Sequence, residues 1–129
     1  MTRDAADRHI FRFADVDWHV PMLAGADPAQ AAEAGRRGAG RKLLAQGEGG
    51  FYTQVVRIPA GFEAPVHSHD HAEVFMVLDG SCTFDGQPMG RYDMTVVGAD
   101  QPYGFTAGPE GLQFLVVRTG ETAFSEAIG

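Results

Sequence analysis

His67, His69 and Glu73 are the residues whose types and spacing most directly imply chemistry. They lie in Gly61-Phe62-Glu63-Ala64-Pro65-Val66-His67-Ser68-His69-Asp70-His71-Ala72-Glu73. Side chains two apart on a β-strand share a face, so the imidazoles of His67 and His69 can converge on one ion. Asp70-His71-Ala72 is too polar and irregular to continue that strand. A turn there brings Glu73 onto the next antiparallel strand, facing the histidines. Two imidazoles and one carboxylate form a facial array that leaves coordination positions open, the arrangement of non-haem Fe(II) oxygenases.

The elements that must position this array are short strands. Turn signals punctuate the chain from Gly47 onward, and runs rich in Val, Phe, Tyr, Thr and Ile lie between them. Phe51–Ile58, Glu73–Leu78 and Leu112–Arg118 are the clearest. Strands of that length at intervals of ~8–12 residues predict an all-β sandwich or barrel. Asp79-Gly80 and Asp85-Gly86 are tight-turn dipeptides, which makes the strands around them antiparallel. Upstream, Asp27–Ala34 is either a short helix, capped by Asp27 and started by Pro28, or an Ala/Gly loop running to Gly40. Arg12–Trp18 reads as an N-terminal strand or arm, with Trp18 as a packing or interface anchor. The expected organisation is an arm and loop or helix over 1–40, a barrel over 41–118, and a tail over 119–129.

The segment from Gly61 to Gly80 resembles the first motif of the cupin superfamily at every fixed position: Gly61, His67, His69, Glu73 and Gly80. The resemblance covers roughly residues 41–118 and is to the small single-domain, conserved-barrel cupins. It implies an antiparallel double-sheet jelly-roll barrel and a divalent transition metal held by His67, His69 and Glu73. Fe(II) heads the candidates, followed by Zn, Ni and Mn. The second motif is matched less fully. Asp93, Pro102 and Gly104-Phe105 fall in place, but Tyr92 replaces a glycine, Gly98 a proline, and Tyr103 the histidine that is the usual fourth ligand. Three roles stay open for Tyr103: phenolate ligand, proton donor or acceptor beside the metal, or a bystander with water completing the coordination. His71, the last histidine in the chain, is either a substitute ligand or a solvated or neighbouring group.

Phe75, Val77, Phe105, Phe114 and Val116 are expected to line the barrel interior, where core and pocket wall are one surface. Gln54 faces either that cavity or water. Cys82 reads as a small buried hydrophobe and, being the only cysteine, cannot form an intramolecular disulfide.

Composition narrows the function classes. Ten Lys and Arg against 17 Asp and Glu give a net charge of −7, which disfavours nucleic acid as a partner. No apolar run approaches the ~18 residues of a membrane span, and the first residues lack the apolar stretch of a secretory leader. A cytoplasmic protein with a small-molecule substrate is therefore expected. A homodimer is expected too, with the Phe11-Arg12-Phe13 arm covering a sheet edge. Two functions follow. One is a metal-dependent enzyme, a dioxygenase or a lyase/isomerase, acting on a small oxygen-bearing molecule with Tyr103 as the catalytic proton carrier. The other is a metal-containing binding or sensing cupin without catalysis.

Overall fold

The computed structural model describes residues 8–19, 27–120 and 124–126. Among them, eight strands form one antiparallel sheet that closes into a barrel. The strands are β1 (Gly40–Gln46), β2 (Tyr52–Ile58), β3 (Glu63–His69), β4 (Glu73–Phe84), β5 (Gln87–Met89), β6 (Met94–Val97), β7 (Tyr103–Arg118) and β8 (Phe124–Glu126).

β7 organises the barrel. Its first part pairs with β3, its second part with β2, and β4 runs beside most of its length. Residues 103, 105 and 107 of β7 are buried, and so are 112, 114 and 116. The inward parity thus changes from odd to even across Pro109-Glu110-Gly111, where Gly111 has φ +86°. On β4, Asp79-Gly80 does not make the expected tight turn. The strand continues through it, with register shifts on either side that bend β4. Gly80 has φ +73°, and a Cβ there would collide with the Gly111 carbonyl, so the close approach of β4 and β7 demands glycine. Asp85-Gly86 is a two-residue hairpin turn, with both residues at positive φ and Phe84 paired to Gln87.

The interior is filled by side chains. Phe75 and Val77 are fully buried. Phe75 stacks on Phe114 at 4.3 Å between centroids and leans on Phe84 and Phe105 at 5.0 and 5.2 Å. Cys82 is buried here too, and burial pushes its thiol up to about 11, which keeps it an unreactive thiol.

Of the two readings of Asp27–Ala34, the helix is the one observed. It is α1 (Pro28–Arg36), with Pro28 at its first position. Asp27 accepts from the Gln30 amide at 2.7 Å and the Gln30 side chain returns the bond, forming a capping box. Residues 13–19 do not form a strand. Phe13–Asp15 is a 3₁₀ turn, and His19 makes one bridge to Arg41. Phe13 and Trp18 pack edge to face, and the buried Lys42 places its ammonium 3.9 Å from the Phe13 ring centre. Lys42 also donates to the Phe13 carbonyl at 2.7 Å, so this part of the arm is tied to its own barrel. The end of the chain, read from sequence as a tail, supplies β8, which pairs with β3 opposite His67–His69.

Tyr92, the residue in place of the motif glycine, sits at φ +70° and is exposed. Its amide donates to the Val77 carbonyl at 2.7 Å, which holds the backbone in this conformation. Left-handed geometry costs a non-glycine residue about 1–2 kcal/mol, less for asparagine. The exposed stacking of Arg91 on Tyr92 at 4.8 Å offsets about 0.5 kcal/mol of that. Tyr92→Asn is therefore expected to stabilise the fold by about 0.5–1 kcal/mol, read as a rise in Tm of a few degrees. An unchanged or lower Tm would contradict the strain argument.

Candidate functional site

The two histidines reach the barrel mouth because β3 carries a register irregularity between Ala64 and His67. Ala64 is buried, Val66 is turned outward, and His67 points in. The irregularity also presents the Pro65 carbonyl, which accepts from His67 Nδ1 at 2.8 Å. That bond fixes the tautomer and leaves Nε2 of His67 with a free lone pair. The rings of His67 and His69 lie 5.0 Å apart and nearly perpendicular. Asp100 N donates to the His69 carbonyl at 2.6 Å and secures the end of the strand.

Glu73 opens β4 and is 2 % exposed. Its two oxygens have different partners. The Tyr103 hydroxyl donates to Oε1. Arg118 Nε donates to Oε2 at 2.8 Å. Register explains the Arg118 contact and sets Tyr103 beside His67. Glu73 pairs with Arg118 across β4 and β7, and His67 pairs with Tyr103 across β3 and β7. Arg118 Nη2 also lies 3.4 Å from His69 Nε2. Nδ1 of His69 is buried and has no partner among the described residues.

Burial and charge set the protonation states. Desolvation is the largest cause lowering His67. Desolvation, then the nearby Arg118 charge, lowers His69 to about 4. Both rings are therefore neutral at pH 7, the form that binds metals. Tyr103 moves the other way. Burial, then the Glu73 charge and the hydrogen bond to it, raises its phenol far above the ordinary value. It is a firmly held proton donor in this arrangement.

The sign of the histidine shifts predicts a pH effect on stability. Their folded pKa values lie below 6.5, so the unfolded chain takes up protons first as pH falls. Stability is fully present above about pH 6.5 and is lost toward pH 4. After discounting for solvent screening, the loss between pH 7 and 5 is about 1–2 kcal/mol. Urea denaturation of metal-free protein at the two pH values checks this; equal midpoints would contradict it.

Donor chemistry suits a divalent transition metal. His67 has a free Nε2, His69 has an Nε2 lone pair turned toward Arg118, and Glu73 is a buried carboxylate whose charge acts on both rings. The arrangement, however, commits Glu73 to Arg118 and Tyr103. Among the described residues, no three His, Cys, Asp or Glu side chains converge as a metal cluster. A metal drawing on all three ligands must compete with Arg118 for Glu73.

The other sequence candidates fall in distinct places. The His71 ring occupies the space that a Cβ on Gly120 would need, and so packs on the backbone just beyond Arg118. Gln54 faces the cavity rather than outside water. It lines a space of ≈ 270 Å³ together with Arg41, Leu43, Tyr52, Thr53 and Arg118. Phe75, Val77, Phe105 and Phe114 belong to the packed core beneath it. Arg118 and Arg41 are site residues that sequence reasoning missed. Arg118 carried a signal, since it shares strand parity with Phe114 and Val116, both read as inward-facing.

No protein-family model and no curated protein matches the sequence. Solved structures do match. The DMSP lyase DddQ from Ruegeria pomeroyi superposes with TM-score 0.71 at 21% identity, over 88% of this chain and 62% of that one. This chain thus spans about three fifths of that lyase. The polyketide cyclase RemF from Streptomyces resistomycificus gives TM-score 0.70 at 20% identity, over 95% and 87%. An RmlC-like cupin from Shewanella frigidimarina gives 0.64 at 18%, over 86% and 89%. The chain therefore has the cupin fold, as its first motif implied.

Proposed function

We propose that this protein is a metal-dependent cupin enzyme acting on a small oxygen-bearing organic molecule at the barrel mouth. The observation that carries the reading is one continuous contact chain. Two neutral imidazoles, a buried carboxylate and a protonated phenol meet beside a cavity large enough for a small molecule. That a lyase and a cyclase share the fold supports an enzyme rather than a passive binder.

In this reading His67, His69 and Glu73 hold a divalent metal, Fe(II) first among the candidates. When bound, the metal supplies Lewis-acid activation, or with iron redox chemistry, at its open positions. Pro65 keeps the His67 tautomer correct for ligation. Tyr103 keeps its hydroxyl proton, donates it in a hydrogen bond to Glu73 Oε1, and is the group placed to pass it to bound substrate. Stacking on Phe84 at 5.1 Å keeps the phenol in place. Arg118 neutralises Glu73 until metal or substrate takes over the carboxylate.

The test is anaerobic purification followed by metal analysis after loading with Fe(II), Zn, Ni or Mn in turn. Stoichiometric uptake by the natural sequence, lost in His67→Ala, is expected. Tyr103→Phe should retain the metal while losing turnover. If the natural sequence takes up none of the four metals, the reading fails.

A further inference from the structure

Beside Arg118, the ≈ 270 Å³ cavity contains two polar atoms that the mechanism above does not use. Arg41 reaches it from β1 and Gln54 from β2. Nε of Arg41 and Oε1 of Gln54 are both buried, and neither has a hydrogen-bond partner among the described residues. The strand register makes them diagonal neighbours, since Arg41 pairs with Val56 and Leu43 with Gln54. Arg41 also has no ion pair among the described residues, whereas Arg118 in the same wall has Glu73.

A buried donor or acceptor left unpaired is costly, and a charged one more so. An arginine with a buried, unpartnered Nε in a protein with net charge −7 is the opposite of what overall charge predicts. A ligand that presents an anionic acceptor to Arg41 and, next to it, a donor to Gln54 satisfies both atoms together. At ≈ 270 Å³ the cavity has room for a small molecule.

We infer that this cavity binds the carboxylate end of a small 2-hydroxy acid. The carboxylate pairs with Arg41 and the adjacent hydroxyl donates to Gln54. The rest of the molecule lies toward Arg118, Glu73 and Tyr103. This deepens the reading of the barrel mouth as the functional site and rests on it, but it needs no metal.

The test uses metal-free protein and calorimetric titration with glycolate, lactate and malate. Propionate lacks the hydroxyl and lactamide lacks the charge, so they serve as comparisons. At least one hydroxy acid should saturate with Kd of order millimolar or tighter, about tenfold or more below propionate and lactamide. Arg41→Gln should weaken it about tenfold or more, and Arg41→Lys less. Gln54→Leu should reduce the hydroxy acid to the level of propionate. Circular dichroism and unchanged metal uptake in these variants would show that the barrel is intact. Equal binding of lactate and lactamide, or no saturable binding by any of the three acids, would overturn the proposal. Failure of metal uptake alone would leave it standing, and failure of acid binding alone would leave the metal reading standing.

Discussion

Glu73→Ala is expected to destabilise the metal-free protein by about 3–5 kcal/mol, the cost of stranding a buried charge. The Glu73 side chain is fully buried, and that of Arg118 is only 15% exposed. Removing the carboxylate leaves the guanidinium without its counter-charge and the Tyr103 hydroxyl without its acceptor. The Tyr103 hydroxyl is buried, and Arg118 meets water only through the cavity it lines. Equilibrium urea denaturation measures the loss. A change within about 0.5 kcal/mol, the range of ordinary surface substitutions, would show that the pair carries no such energy. The double variant Glu73→Leu with Arg118→Leu should recover most of the loss, because replacing a buried pair by apolar groups is often neutral or better. The same single variant should abolish stoichiometric metal uptake if the proposed ligand set is right.

Arg118→Met should change stability and metal affinity in opposite directions. Without the guanidinium, the buried Glu73 carboxylate keeps only Tyr103 as a donor, so the metal-free protein should lose about 2–4 kcal/mol. Metal binding should tighten. Arg118 lies 2.8 Å from Glu73 Oε2 and 3.4 Å from His69 Nε2, against two of the three proposed ligands. At an effective dielectric of 20, unit charges 4 Å apart interact by about 4 kcal/mol, and a dication doubles that. Because the long arginine side chain can swing aside, only part of this is recovered. A gain of about one to two orders of magnitude in affinity is expected, measured by competition with a chelator. Unchanged or weaker binding would show that Arg118 is not the metal's competitor. A variant less stable when empty and tighter when loaded would establish that one carboxylate is contested by two cations.

Local signals made much of the architecture readable. Asp85-Gly86 specifies its hairpin by itself, because both residues tolerate positive φ. Asp27 and Pro28 start a helix through contacts within one turn. The inward stripe of Phe75 and Val77 follows from period-two alternation. Asp79-Gly80 misled because its positive φ serves another purpose. The glycine admits the Gly111 backbone from 31 positions downstream, a contact with no local signature. Simple alternation is interrupted for a related reason. β3 gains one residue on β7 between Ala64 and His67, β7 gains three on β4 between Ala107 and Leu112, and alternation counted from one end no longer predicts the other.

At His67, His69 and Glu73, the residue types and spacing determined that two imidazoles share a face and that a carboxylate opens the next strand in sequence. These follow from strand geometry over a dozen residues. In the structure that next strand pairs with β6 and β7 rather than with β3. What the carboxylate touches was decided only in three dimensions. Arg118 lies 45 positions from Glu73 and arrives by strand pairing, while Tyr103, 30 positions away, is paired with His67 and reaches Glu73 through its side chain. Long-range register also brings Arg41 and Gln54 to one cavity. Hydrogen bonding and charge pairing act over a few ångströms of space, whatever the separation along the chain. The sequence therefore announced a ligand set, while the tertiary structure decided that a resident arginine already holds its acid.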